Sequence, residues 1–168
     1  MDKPIEAIRQ TMHSKCKKSR SLQSRSAGRH QRHLTKATCI VIRPSGMYHG
    51  KQGLDYFAGI SAQSAGSTGL CMHLLSLPPS GRSTPHYHRD HESIVYVLSG
   101  EAGMWYGERL RQHLTVKAGD FLYIPANTPH LPYNLSNSEP CTGVVARTDP
   151  NEQESVVAYD APDPTQSK

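Results

Sequence analysis

Four side chains in this sequence have the types and spacing of a metal site. His86 and His88 stand two residues apart in Pro85-His86-Tyr87-His88-Arg89-Asp90-His91-Glu92. Side chains at i and i+2 share a face only where the backbone is extended, because strand side chains alternate. A strand here therefore makes a two-nitrogen clamp and turns Tyr87 outward. Glu92, four residues after His88, can return as a carboxylate once the chain turns at Arg89-Asp90. A third imidazole, His130, follows a proline in Pro125-Ala126-Asn127-Thr128-Pro129-His130, where a rigid turn would fix it. Imidazole and carboxylate together suit iron, manganese, zinc, nickel or copper, and three or four such ligands leave a position for water or substrate.

Taken singly, ten histidines in a basic chain are mostly surface residues. The second half of the pattern changes that weighing. Gly119-Asp-Phe-Leu-Tyr-Ile-Pro125-Ala-Asn127-Thr-Pro-His130-Leu-Pro-Tyr-Asn134 resembles the second motif of the cupin superfamily, G(X)5PXG(X)2H(X)3N, at every position but one. Asn127 stands where the motif has glycine, and Asn is the residue that best tolerates the left-handed conformation in its place.

Residues 81–100 resemble the first cupin motif, G(X)5HXH(X)3,4E(X)6G, less closely. Four residues separate Gly81 from His86 instead of five, and seven separate Glu92 from Gly100 instead of six. One extra residue flips every side chain to the other face of a strand. Either a bulge absorbs it, or the phase counted back from Gly100 turns Ser93 inward in place of Glu92. Serine is a poor metal ligand and the HXH(X)3E spacing is intact, so Glu92 is retained, with His91 in reserve. The resemblance spans roughly residues 65–148 and implies an all-β fold, the double-stranded β-helix or cupin jelly-roll barrel. It also implies one divalent metal ion held by His86, His88, Glu92 and His130.

Positioning those residues takes a series of short strands. Strands are expected over 39–43, 54–60, 70–77, 94–98, 102–106, 112–117, 121–124, 131–135 and 141–147, separated by Pro/Gly/Ser turns such as Pro78-Pro79-Ser80-Gly81 and Ser99-Gly100. The apolar run 70–77 reads as a strand buried on both faces, with His73 a core histidine. Turns at this spacing without helical periodicity fit a sandwich or barrel. Asp149-Pro150-Asn151-Glu152 has the pattern of a helix start, in a C-terminal tail or short packing arm over 149–168. Trp105 and the tyrosines at 87, 96, 123 and 133 are either aromatic pocket walls or core.

Charge is divided along the chain. Residues 1–46 carry eleven Lys/Arg against two acids, whereas residues 47–168 carry eight against twelve. The sequence pI of about 9.1 thus describes an N-terminal arm, and a nucleic-acid partner for the whole protein is disfavoured. Residues 1–36 are expected to be a disordered basic arm, with a presequence, an early start or a polyanion-binding arm as alternatives. The barrel is expected over 37–148. Cys16, Cys39, Cys71 and Cys141 are scattered, which fits reduced thiols in the cytoplasm. No apolar stretch approaches the roughly 18 residues of a membrane span.

Cupin activities include dioxygen insertion, decarboxylation and isomerisation, beside members that only bind ligands. The resemblance therefore implies a small-molecule metalloenzyme of dioxygenase or oxidoreductase type, or else a non-catalytic ligand-binding or sensing module. No nucleophile–base pair or carboxylate pair identifies a catalytic residue. A homodimer with two-fold symmetry is expected, because the run 94–98 offers side chains to both faces of its strand and only one can fill the barrel.

Overall fold

A computed structural model describes residues 38–43, 46–151, 153, 155–161 and 164. The chain divides into the units Met1–Thr38 and Cys39–Lys168, and every described strand belongs to the second. The arm expected over 1–36 lies outside the described residues.

Eleven strands are described: β1 (Met47–His49), β2 (Asp55–Ile60), β3 (Cys71–Leu77), β4 (His86–His88), β5 (Ser93–Ser99), β6 (Glu101–Tyr106), β7 (Gln112–Lys117), β8 (Phe121–Ile124), β9 (His130–Asn134), β10 (Cys141–Arg147) and β11 (Val156–Ala158). They form a six-stranded sheet in the order β1-β2-β3-β10-β5-β8 and a five-stranded sheet in the order β11-β4-β9-β6-β7. All pairings are antiparallel. This is the β-barrel that the turn spacing and the resemblance imply.

Alternation along the strands builds the core. Leu54, Tyr56, Leu77, Val97, Ala102, Cys141 and Val145 pack together from both sheets, with Leu75, Val95 and Val116 against them. Each aliphatic side chain so buried contributes about 1.5–3 kcal/mol. The β5–β6 hairpin turns at Gly100, whose φ is +79° and whose position would put a Cβ 2.8 Å from the Cys141 Cα. Only glycine satisfies both conditions. Asn134, the last residue of the second motif, is buried and structural. Its amide donates toward the carbonyls of Leu77, Pro78 and Glu139 at 2.8–3.0 Å, while its Oδ1 accepts from the Ser136 N–H.

Three expectations change. Residues 39–43 do not join a sheet, and the first strand is β1. Strand β3 is buried on one face only: Cys71 and His73 point inward, whereas Met72 and Leu74 are exposed. The apolar content of 70–77 thus marks an uncovered outer face, not a second buried one. Residues 149–151 turn instead of starting a helix, because the Asp149 carboxylate accepts from the N–H groups of Asn151 and Ser155. The chain then returns as β11, which pairs Val156 with His88 and Ala158 with His86. A short helix, α1 (Ala62–Ala65), also appears within the loop after β2, capped by Ser61.

Candidate metal centre

Three of the four expected ligands meet inside the barrel. His86 and His88 lie on β4 with Tyr87 between them, and the burial pattern buried–intermediate–buried is the alternation that an HxH strand requires. His130 opens β9 directly opposite His86. The ligand nitrogens of the three rings lie within 4.8 Å of one another, and all three side chains are at most 3% exposed.

Local sequence aims two of these rings. His86 follows Thr84-Pro85 and His130 follows Thr128-Pro129. In each case the ring Nδ1 lies 2.8 Å from the carbonyl oxygen of the threonine two residues earlier. A carbonyl only accepts, so Nδ1 carries the hydrogen and Nε2 keeps its lone pair. That is the second-shell arrangement that fixes the tautomer of metal-ligating histidines. His88 has its Nδ1 3.5 Å from the Ser155 hydroxyl, and its Nε2 is buried with no hydrogen-bond partner.

A link between the two motif turns holds the rings in place. Asn127, at φ +60°, adopts the left-handed conformation that its motif position demands. Its N–H donates to the His88 carbonyl at 2.9 Å. Its side chain exchanges hydrogen bonds with Asp90, the Asn127 Oδ1 accepting from the Asp90 N–H and its Nδ2 donating to the Asp90 carboxylate.

Glu92 is not brought to the three imidazoles. It is exposed, and its carboxylate accepts from the Tyr123 hydroxyl at 2.6 Å. A register shift does occur in β5, at Leu98, but from Val97 back to Ser93 the ladder with β10 is unbroken. Ser93 is buried, so alternation turns Glu92 outward. The reserve ligand His91 also stays outside the cluster, with its Nδ1 3.4 Å from the Thr148 hydroxyl.

Around the rings lies a cavity of about 70 Å³, walled by aliphatic side chains from both sheets together with Tyr56, Ser93 and Arg147. Trp105 and the tyrosines at 87, 96, 123 and 133 do not line it. Trp105 instead stacks on His113 at 4.5 Å, and His73 is a core histidine whose Nδ1 accepts from the Gly59 N–H. Arg147 was not singled out by the sequence reading, and its signal is positional. It is the last inward residue of β10, directly across from Ser93.

Burial keeps all three imidazoles neutral. His130 is pushed down to about 4 by desolvation, with a smaller effect of the Arg147 charge opposed by the bond to Thr128. His86 is lowered well below its usual value, by desolvation and then by His130 and Arg147, against the bond to Thr84. His88 is strongly lowered by desolvation and next by Arg147, with smaller effects of His86, His130 and His91. Neutral imidazoles are the form a metal requires. An orphaned Nε2, two rings with their other nitrogen tied back, and no imidazolium charge make a donor set that fits a divalent ion.

Residues 73–146 match the family model for the cupin domain. Strands β3 to β10 thus carry a match to the cupin domain. Over 53 residues the chain is 40% identical to quercetin 2,3-dioxygenase of Bacillus subtilis (strain 168), covering 32% of this chain and 15% of that protein. It is similar in fold to an oxalate decarboxylase of Lactobacillus farciminis, with a TM-score of 0.56 and 17% identity over 68% of this chain and 33% of that one. Oxalate decarboxylase of Bacillus subtilis gives a TM-score of 0.55 and 19% identity over 70% of this chain and 30% of that one. The chain thus spans a third or less of the length of these relatives.

Burial of neutral histidines predicts a pH dependence for the metal-free barrel. The unfolded chain takes up protons near pH ~6.5, whereas folded His130 resists until about 4 and His86 and His88 are also held well below their usual value. Stability is therefore full above the unfolded value and falls as pH drops, by up to about 1.4 kcal/mol per pH unit for each histidine. Denaturant titrations of chelator-treated protein from pH 7.5 to 4.5 should show this fall. A flat profile would show that the rings are not buried in neutral form.

Proposed function

We propose that this barrel holds one divalent metal ion on His86, His88 and His130 and acts on a small organic molecule in the adjoining cavity, as a metalloenzyme of oxidoreductase type. The observation that carries the reading is the convergence of three buried, neutral imidazoles, two of them with Nδ1–H committed to backbone carbonyls. A three-nitrogen set favours iron, zinc, copper or nickel over the oxygen-seeking ions magnesium and calcium. When bound, such an ion supplies Lewis-acid or redox chemistry at an open coordination position. The chain's own residues contribute orientation and dryness: Thr84 and Thr128 hold the rings, Asn127 clips the two motif turns together, and Leu77, Val97 and Ile124 line the cavity with apolar surface. The dioxygenase reading rests on the similarity to quercetin 2,3-dioxygenase.

A second reading, a ligand-binding or sensing module without turnover, is favoured by one observation. No carboxylate lines the cavity among the described residues, so no carboxylate general acid or base stands beside the rings. Oxygen uptake by tag-free protein reconstituted with iron, offered small aromatic and enol compounds, separates the two.

Metal analysis tests the ligand set. His130→Ala should lose most of the metal retained by the parent, while Glu92→Ala and His113→Ala should keep it. Equal retention in all three variants would remove the assignment, and loss in Glu92→Ala would return that carboxylate to the site.

The expected homodimer has a candidate surface on the outer face of the six-stranded sheet. Phe57, Met72, Leu74, Ile94, Tyr96 and Phe121 are all exposed there, Phe121 at 77%. Tyr96 stacks on Phe121 at 4.7 Å, so the patch continues from strand to strand. An apolar face of this extent favours association with a second copy. Light scattering at micromolar concentration should give twice the chain mass, and Phe121→Asp should shift it to one. A parent that is monomeric would contradict the dimer. Cys39 and Cys141 form no disulfide, in keeping with the proposed cytoplasmic setting. Among the described residues no helix is long and apolar enough to cross a membrane.

A further inference from the structure

The guanidinium of Arg147 is the least expected group in the cavity. It is 6% exposed, and its Nε and Nη1 are buried without a hydrogen-bond partner. Among the described residues it takes part in no ion pair. Its one aromatic contact is with the Tyr56 ring, 5.9 Å from the centroid, which is the outer limit of a useful cation–π interaction. A buried, unpaired charge costs several kcal/mol. Arginine stays charged under all ordinary conditions, so it cannot escape that cost by losing a proton.

The neighbours of Arg147 share its condition. Directly across the β5–β10 ladder, Ser93 also has a buried hydroxyl without a partner. Both residues line the same cavity as the three histidines. The imidazole Nε2 atoms are acceptors in the same wall, yet neither Nε and Nη1 of the guanidinium nor the serine hydroxyl is within hydrogen-bond reach of one. A carboxylate supplies the missing partners: its two oxygens accept from the guanidinium fork, and the serine hydroxyl can donate to one of them. Beyond these groups the wall is mostly apolar, Leu75, Val95, Val97 and Val116 among it, with Thr142 as a further hydroxyl; this suits an apolar remainder, and about 70 Å³ admits only a small one.

We propose that Arg147, with Ser93, is the anchor for the carboxylate of a small, otherwise apolar acid bound beside the three histidines. The proposal deepens the reading of this cavity as a small-molecule site, but the observations behind it, the unpartnered Arg147 Nε and Nη1 and the Ser93 hydroxyl, involve no ion.

The test compares butyrate with its neutral amide, butyramide, by calorimetric titration of the full chain as purified and after chelator treatment. Butyrate should bind at least about tenfold more tightly than butyramide to the parent, and Arg147→Met should erase that difference. Arg147→Met should also be as stable as the parent in the absence of acid, because it removes an unpaired buried charge. A cationic side chain kept only for packing on Tyr56 gives the opposite pattern, a destabilised variant with unchanged preference for the acid. Should Arg147→Met fail to fold, Arg147→Lys keeps the charge but not the fork, and it should still weaken butyrate by about fivefold or more. Equal binding of butyrate and butyramide to both preparations of the parent overturns the anchor. Preference for butyrate that survives chelation supports the anchor even if no metal is found. Preference present only with metal assigns the acid to the ion and overturns the role of Arg147.

Discussion

Two short hydrogen bonds from imidazole Nδ1 to a backbone carbonyl govern how this barrel presents its chemistry. Thr84 and Thr128 each accept from the histidine two residues onward, at 2.8 Å in both cases. A proline stands between donor and acceptor both times, so the backbone that carries the acceptor is held at a narrow range of φ. The consequence is a choice of tautomer made by main chain alone. With Nδ1–H spoken for, each Nε2 is left as a lone pair facing the barrel axis region shared with His88. The direction of the ring nitrogens depends on this choice, whereas the neutral state of the rings comes from burial, which outweighs the raising effect of these same hydrogen bonds.

Burial and orientation are coupled here. Without fixed hydrogen bonds, imidazoles this deep would meet one another as neutral rings of arbitrary tautomer. Without burial, they would titrate near neutrality and repel each other and Arg147. The aliphatic walls therefore do two things: they stabilise the barrel by removing apolar surface from water, and they keep His86, His88 and His130 in the neutral form. The same dryness makes the unpaired guanidinium of Arg147 costly, and so makes an anionic ligand favourable.

Much of this was legible in the sequence. The strand HxH clamp and the third histidine behind a proline were legible from residue type and spacing, and the left-handed Asn127 from the resemblance to the second cupin motif; each is where the pattern placed it. Strands β2 through β10 lie within a residue or two of the expected segments, because turn residues bound them on both sides. Glu92 was less legible. Spacing to His88 favoured it, whereas strand phase favoured Ser93, and an unbroken ladder to Arg147 decides the phase. Periodicity could not tell a doubly buried strand from one with an apolar outer face, so β3 was misread. The return of β11 onto β4 could not be read at all, since pairing between residues 156–158 and 86–88 is a long-range contact with no local signature. Arg147 went unnoticed because a charged residue at the end of an apolar strand ordinarily points to solvent.

The claim on which the account rests is that His86 and His130 are neutral, carry their hydrogen on Nδ1, and offer Nε2 to one ion shared with His88. Nitrogen-15 NMR of histidine-labelled, chelator-treated protein at pH 7 reads this directly, followed by zinc titration. Two rings with protonated Nδ1 and bare Nε2, and three Nε2 resonances that shift together and saturate at one equivalent of zinc, are the predicted result. Imidazolium signals for these residues, or Nε2–H tautomers at His86 and His130, would contradict it.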